Sequence, residues 1–191
     1  MLETTVIVSA PIHKACEQKP AKPAWGGVGI VRGKVGMFLA ATNGKMMAAI
    51  PTIAAMEPFA GNVIPATVLA HASRPGTKSI MLKLNGTARG CHPKHGDCES
   101  AFVDGDFPPV SVLVAPALGR EYRAVSLDVD FLRTLADSMN AKDGLVTLLL
   151  PEGNHAIIVI PRGAEGFGML MPCCTAANAV ADGLTRVSEL A

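Results

Sequence analysis

Aromatic side chains are scarce in this chain of 191 residues: they make up 4% of it, with one Trp, one Tyr and six Phe. A core must therefore be assembled from Ala, Val, Leu, Ile and Met, and at 49% hydrophobic residues there is enough for one or two domains. No apolar run approaches the roughly 18 residues needed to cross a bilayer. The N-terminus has neither the basic start nor the apolar stretch of a signal peptide, so the reading is a soluble, cytoplasmic protein. Charge of one sign is also missing: 17 basic and 16 acidic residues leave a net charge of +1. Bulk electrostatics thus gives no argument for nucleic-acid binding, and only a local basic face could supply one. Catalytic signatures are absent too. There is no GxSxG, no phosphate-binding loop and no HExxH, and the acidic residues are scattered through turns. The expectation is a protein that is not an enzyme and has no cofactor.

What is present is turn chemistry and short apolar runs, with 19 glycines and 14 prolines. The clearest case is Phe38 to Thr52, FLAATNGKMMAAIPT. Two apolar runs flank Asn43-Gly44, residues that tolerate the positive φ of a tight turn, and this predicts a hairpin with Thr42 and Met47 at its shoulders. Upstream, Thr4 to Ser9 is β-branched and strand-like. Pro11 to Gln18 predicts a short helix, KPAKPAWGG is a breaker, and Gly27 to Val31 and Gly36 to Ala41 read as strands. Downstream, Glu57 to Asn62 is a loop and Ala66 to Ser73 a short helix. Ser79 to Leu84 alternates as a half-buried strand, and Thr87 to Cys91 and Cys98 to Val103 flank another hairpin tip. Val110 to Val114 is β-rich. Arg123 to Leu127 is strand-like, and Asp128 or Asp130 can cap a helix with Phe131, Leu132, Leu135 and Met139 on one face. Strands follow at Leu145 to Leu150, Ala156 to Ile160 and Phe167 to Met171.

A unit of about 60 residues, one short helix and then several antiparallel strands, therefore recurs about three times. That order predicts an α+β architecture with helices on one face of antiparallel sheets.

Five segments, in order, resemble the bacterial sliding clamp, the β subunit of DNA polymerase III. LAATNGKMMAAIP is similar to the clamp's Ala-Thr-Asp-Gly hairpin, and GNVIPATVLAHA to the strand and helix after it. FVDGDFPPVSVLV resembles the segment that closes a clamp domain, VSLDVDFLRTLADSM the helix of the last domain, and GMLMPC the family's Met-Pro ending. The resemblance covers about Val28 to Cys174. It implies a DNA-clamp-like fold, with residues 1–116 as the middle clamp domain, 117–175 as the second half of the last domain and 176–191 as a C-terminal tail. The chain departs from the family in carrying only part of its three domains, in having Asn43 for Asp, and in having Cys173 where Met is common.

The resemblance also implies function: a processivity factor or clamp-derived scaffold of DNA replication and repair. It would bind short hydrophobic motifs of DNA polymerase, clamp loader or repair proteins. The alternative is an adaptor or decoy that binds replication proteins without encircling DNA. The implied peptide pocket comprises Thr42, Met47, Pro108, Leu113, Met169 and Met171, small or apolar side chains among which Met adapts to varied partners. Core packing is the other reading of each. Double-stranded DNA would be contacted without sequence specificity by Lys14, Lys19, Lys22, Arg74, Lys78, Arg133 and Lys142, with Glu17 and Asp137 diluting them. A homo-oligomer is implied as well.

Outside the resemblance lies Cys91-His92-Pro-Lys-His95-Gly-Asp-Cys98. Two thiols and two imidazoles in eight residues could in principle hold zinc, pair as a cross-strand disulfide, serve a small zinc- or thiol-dependent enzyme, or form a plain polar hairpin tip. Zinc ligands ordinarily come as pairs from separate elements, and a cytosolic setting disfavours a disulfide, so the plain tip is the expected reading.

Overall fold

The structure, a computed structural model, describes residues 3–8, 10–52, 55–74, 79–115, 124–152, 155–163, 166–173 and 177–190. The chain divides into two compact units, residues 1–119 with 185–191, and residues 120–184. Among the described residues no helix is long and apolar enough to cross a membrane, which does not bear on β-barrels.

The first unit contains two antiparallel sheets. β1 (Glu3–Ile7), β6 (Ser79–Lys83), β7 (Thr87–His92) and β8 (Gly96–Ala101) form one, in the order β1-β6-β7-β8. β2 (Gly27–Arg32), β3 (Met37–Thr42), β4 (Met47–Thr52) and β5 (Val63–Pro65) form the other, in the order β4-β3-β2-β5. Successive strand residues point to opposite faces, so alternation decides what each sheet buries. Val28, Ile30, Leu39 and Ala41 of one sheet meet Val6, Ile80, Leu82 and Ala88 of the other in a single core. Helix α1 (Ala66–Ala72) contributes Val68 and Leu69 to that core, and a 3-10 turn at Ile12–Ala15 contributes Ile12. Gly90 permits the close approach of α1 to β7: a Cβ there would lie 2.8 Å from the Val68 carbonyl oxygen.

The second unit holds helix α3 (Val129–Ser138) and the strands β9 (Val146–Leu149), β10 (Ile157–Pro161) and β11 (Gly168–Leu170), ordered β11-β10-β9. Of the two candidate caps, Asp128 starts the helix: its Oδ1 accepts the backbone N–H groups of Asp130 at 2.8 Å and Phe131 at 3.2 Å. Ile157, Val159 and Leu170 form its core with Leu132, Leu135 and Met139.

The expected recurrence of helix and meander is present, but five local expectations are corrected. Val110 to Val114 is not strand but a one-turn helix, α2 (Val110–Val114). Val110 and Val114, four residues apart, are both buried against Phe38 and Ala40, and that burial outweighs their β-branched preference. Pro11 to Gln18 tightens only into the 3-10 turn at Ile12–Ala15. Of 124–127, only Ser126 makes a ladder contact, a bridge to Cys173. Phe131 leaves the apolar face assigned to it and is exposed. Residues 177–190, read as a helix-permissive, loosely docked tail, form helix α4 (Ala177–Leu190), and its end is not loose, since Leu190 is buried in the first unit.

Gly90→Val should destabilise the protein by about 1–3 kcal/mol, because the branched side chain must push α1 off β7. Urea denaturation checks this. A variant as stable as the parent would show that the helix has room to move.

Candidate functional site

The β3/β4 hairpin is closed by side chains as well as by its ladder. Thr42 and Met47 form its last pair, and Gly44 takes the positive φ, +80°. Asn43 Oδ1 accepts the backbone N–H groups of Lys45 and Met46, both at 3.0 Å. The Thr42 hydroxyl donates to the Met46 carbonyl at 2.8 Å and accepts from the Gly44 N–H at 3.1 Å. Thr42 is buried, so it holds the turn rather than offering surface.

Behind the tip, β3 is buried on both sides. Leu39 and Ala41 face the main core, while Phe38 and Ala40 face outward under α2. This outer face forms its own apolar cluster of Phe38, Ala40, Val110, Val114 and Leu190, with Val31, Met47, Ala49 and Phe107 half-covered around it. Gly29 makes room for Phe107, whose ring carbon would sit 2.4 Å from a Cβ at that position. The Phe107-Pro108-Pro109 segment is thereby seated on the sheet. Beside it opens a cleft of about 350 Å³ lined by Val31, Ala60, Asp106, Phe107, Pro108 and Val110. The end of α4 is held at the β2–β3 turn, where the Glu189 carbonyl accepts the Lys34 N–H at 2.7 Å.

Of the six pocket residues read from the sequence, Met47 and Pro108 lie on this face, Thr42 supports its hairpin, and Leu113 lies in α2. Met169 and Met171 are exposed on the second unit. The sequence reading missed Trp25. It lies in a 3-10 turn, Pro23–Gly26, within the segment taken as a breaker, and its ring rests against the hairpin tip, 2.8 Å from where a Gly44 Cβ would be. Its being the one Trp in an aromatic-poor chain was the available signal.

The basic residues fall into two groups. Lys14, Lys19, Lys22 and Arg74 are exposed on the first unit. Lys14 and Arg74 flank the contact between the 3-10 turn and α1, where Ser73 Oγ lies 3.4 Å from His13 Nδ1. Lys22 stands over the Trp25 ring at 5.7 Å. On the second unit Arg133 pairs with Asp130 at 3.2 Å, and Lys142 lies in the turn before β9. Lys78 lies outside the described residues.

The Cys91–Cys98 segment does not assemble a metal site. Its register pairs Cys91 with Asp97 and Gly90 with Cys98, so the two thiols project from opposite faces of the sheet and neither coordinate one ion nor cross-link. His92 Nδ1 accepts the Lys94 and His95 N–H groups at 3.1 and 3.2 Å, and His71 Nε2 donates to the Gly96 carbonyl at 2.8 Å. Among the described residues no cluster of three such groups could hold a metal ion. The Cys91 thiol is pushed up, chiefly by burial and then by Asp97, the opposite of what a reactive thiolate needs.

Comparison with solved structures shows that this is the DNA-clamp fold. The Caulobacter crescentus polymerase III β subunit aligns with a TM-score of 0.59 at 16% identity, over 97% of this chain and 56% of that one. The Bacillus subtilis sliding clamp aligns with a TM-score of 0.59 at 12% identity, over 90% and 49%. A Helicobacter pylori β clamp bound to a DNA ligase peptide aligns with a TM-score of 0.51 at 14% identity, over 95% and 56%. The chain thus spans about half the length of these clamps. No family model and no curated protein sequence matches it.

Thiol labelling should follow burial. Cys16, buried and donating to the Gly27 carbonyl, has its thiol raised to about 11 by desolvation, so it should label only on unfolding at pH 8. Exposed Cys173 should label at once. Mass spectrometry resolves the two, and rapid native labelling of Cys16 would mean that the core opens there.

Proposed function

We propose that the chain is a non-enzymatic, sliding-clamp-like scaffold of DNA replication or repair. It docks a short hydrophobic motif of a polymerase, clamp-loader or repair protein on the outer face of the β4-β3-β2-β5 sheet. One observation carries this reading. A hairpin locked by its own side-chain hydrogen bonds stands between a half-buried tryptophan and an apolar cluster with an open cleft. Rigid scaffolding with adaptable Met and Pro at the margin suits a motif that varies between partners. A clamp of the same fold is known with a ligase peptide bound, which supports a peptide as the ligand class.

Double-stranded DNA is the second partner in this reading, reached through Lys14, Lys19, Lys22 and Arg74. The net charge of +1 and the pairing of Arg133 with Asp130 favour weak, salt-sensitive contact over tight binding, so recruitment of partners is the main role.

Covering about 200 Å² of apolar surface would contribute on the order of 5 kcal/mol before ordering costs. A single motif should therefore bind in the micromolar range or weaker. Trp25 supplies the reporter. A short peptide with two or three large apolar side chains should shift its emission saturably, and Met47→Lys should abolish that shift while leaving the unfolding transition close to the parent's. A peptide that binds Met47→Lys as tightly as the parent would place the docking surface elsewhere.

A further inference from the structure

The first unit is built from one pattern used twice. Each half runs from a crossing strand, through a helical segment, to a three-stranded meander: β1, the turn at Ile12–Ala15 and β2-β3-β4, then β5, α1 and β6-β7-β8. Each crossing strand leaves its own meander and pairs with the strand that follows the other half's helical segment. β1 lies on β6, from Glu3↔Lys83 to Ile7↔Ser79, and β5 lies on β2, from Gly27↔Pro65 to Gly29↔Val63. The exchange brings the two helical segments together and leaves the strand after each with a neighbour on both sides.

The second unit repeats one such half. In the first unit Val63 bridges Val103 just beyond β8 and stands three residues before α1; in the second, Ser126 bridges Cys173 just beyond β11 and stands three residues before α3. This register sets Leu132 at the place of Leu69, Leu135 at that of Ala72 and Phe131 at that of Val68. Val68 is 0% exposed, whereas Phe131 is 64% exposed, as is Val129. Likewise β6 is flanked by β1 and β7, whereas its counterpart β9 pairs with β10 alone among the described strands. Along the open side of α3 runs a groove of about 240 Å³, lined by Phe131, Thr134, Leu135, Ser138, Met169 and Leu170.

We propose that a second copy of this chain completes this half, the two second units assembling about a two-fold axis into one whole domain on the plan of the first unit. Residues 124–127 of each copy lie along β9 of the other, and the two α3 helices pack side by side over Phe131. A second copy is the fitting occupant because the exchange is reciprocal: a crossing segment, 124–127, and a strand, β9, with a neighbour on one side only among the described strands occur on the same unit, so a two-fold serves both at once. α3 carries Asp130 and Arg133 on its exposed surface, and two antiparallel copies can set acid against base. The inference rests on the first unit's architecture and is independent of peptide binding.

Sedimentation equilibrium of the full chain across the micromolar range should show a dimer, twice 19.8 kDa, dissociating on dilution. Phe131→Lys should weaken dimerisation by at least about tenfold, with circular dichroism unchanged, since a lysine cannot be covered there without losing its water. Ile7→Lys, exposed on β1, should dimerise like the parent. In the parent, amide exchange of Val146 to Leu149 should slow as dimer forms. A single-chain mass at every concentration overturns the proposal, as does a Phe131→Lys dimer as tight as the parent's. Should Phe131→Lys fail to fold, β9 exchange that does not change with concentration overturns it equally.

Discussion

The exchange of first strands between the two halves of the first unit is the constraint on which the rest of that unit depends. β1 and β5 each add the fourth strand to a sheet built by the other half, so neither sheet is complete without residues far away in sequence. One core results, with Val6 and Ile64 carried into it by the crossing strands. The arrangement is costly to form, because distant segments must be ordered before their contacts form. It also leaves little freedom once made, which suits a scaffold whose surface must keep its shape.

The candidate site draws on the same rigidity. β3 is buried on both faces, so the strand that supports the core through Leu39 and Ala41 also supports the outer face through Phe38 and Ala40. Small residues at two points make this possible. Gly29 admits the Phe107 ring, and Gly44 both turns the chain and admits Trp25. Side-chain hydrogen bonds from Thr42 and Asn43 then hold the tip from within the chain, so the motif proposed to dock here would not have to order it.

Among its described residues the second unit has no such exchange, and the contrast shows what the exchange contributes. Its helix is longer than α1 and better capped, yet only Ala136 of it is buried, whereas α1 buries Val68, Leu69, His71 and Ala72. Local signals make a good helix in both places. In the first unit α1 gains its cover on both flanks from the other half.

The sequence by itself determined the local geometry and the order of elements. Asn43-Gly44 specified a turn because Gly44 accepts its positive φ and the Asn43 side chain accepts the next N–H groups, Asp128 or Asp130 a helix start because a carboxylate there can reach the next N–H groups, and alternation in Ser79 to Leu84 a half-buried strand. The α+β architecture was legible from that order and the clamp-like fold from the resemblance of five segments; of the pocket residues the resemblance implied, Met47 and Pro108 lie on the candidate face. Tertiary structure alone decided the rest. It made Val110 to Val114 helical by burying both ends of one turn, turned Cys91 and Cys98 to opposite faces through the strand register, and set Trp25 and Leu190 beside β3. The physical reason is range: φ and ψ preferences and caps act within a few residues, whereas burial and register depend on which distant strand lies alongside.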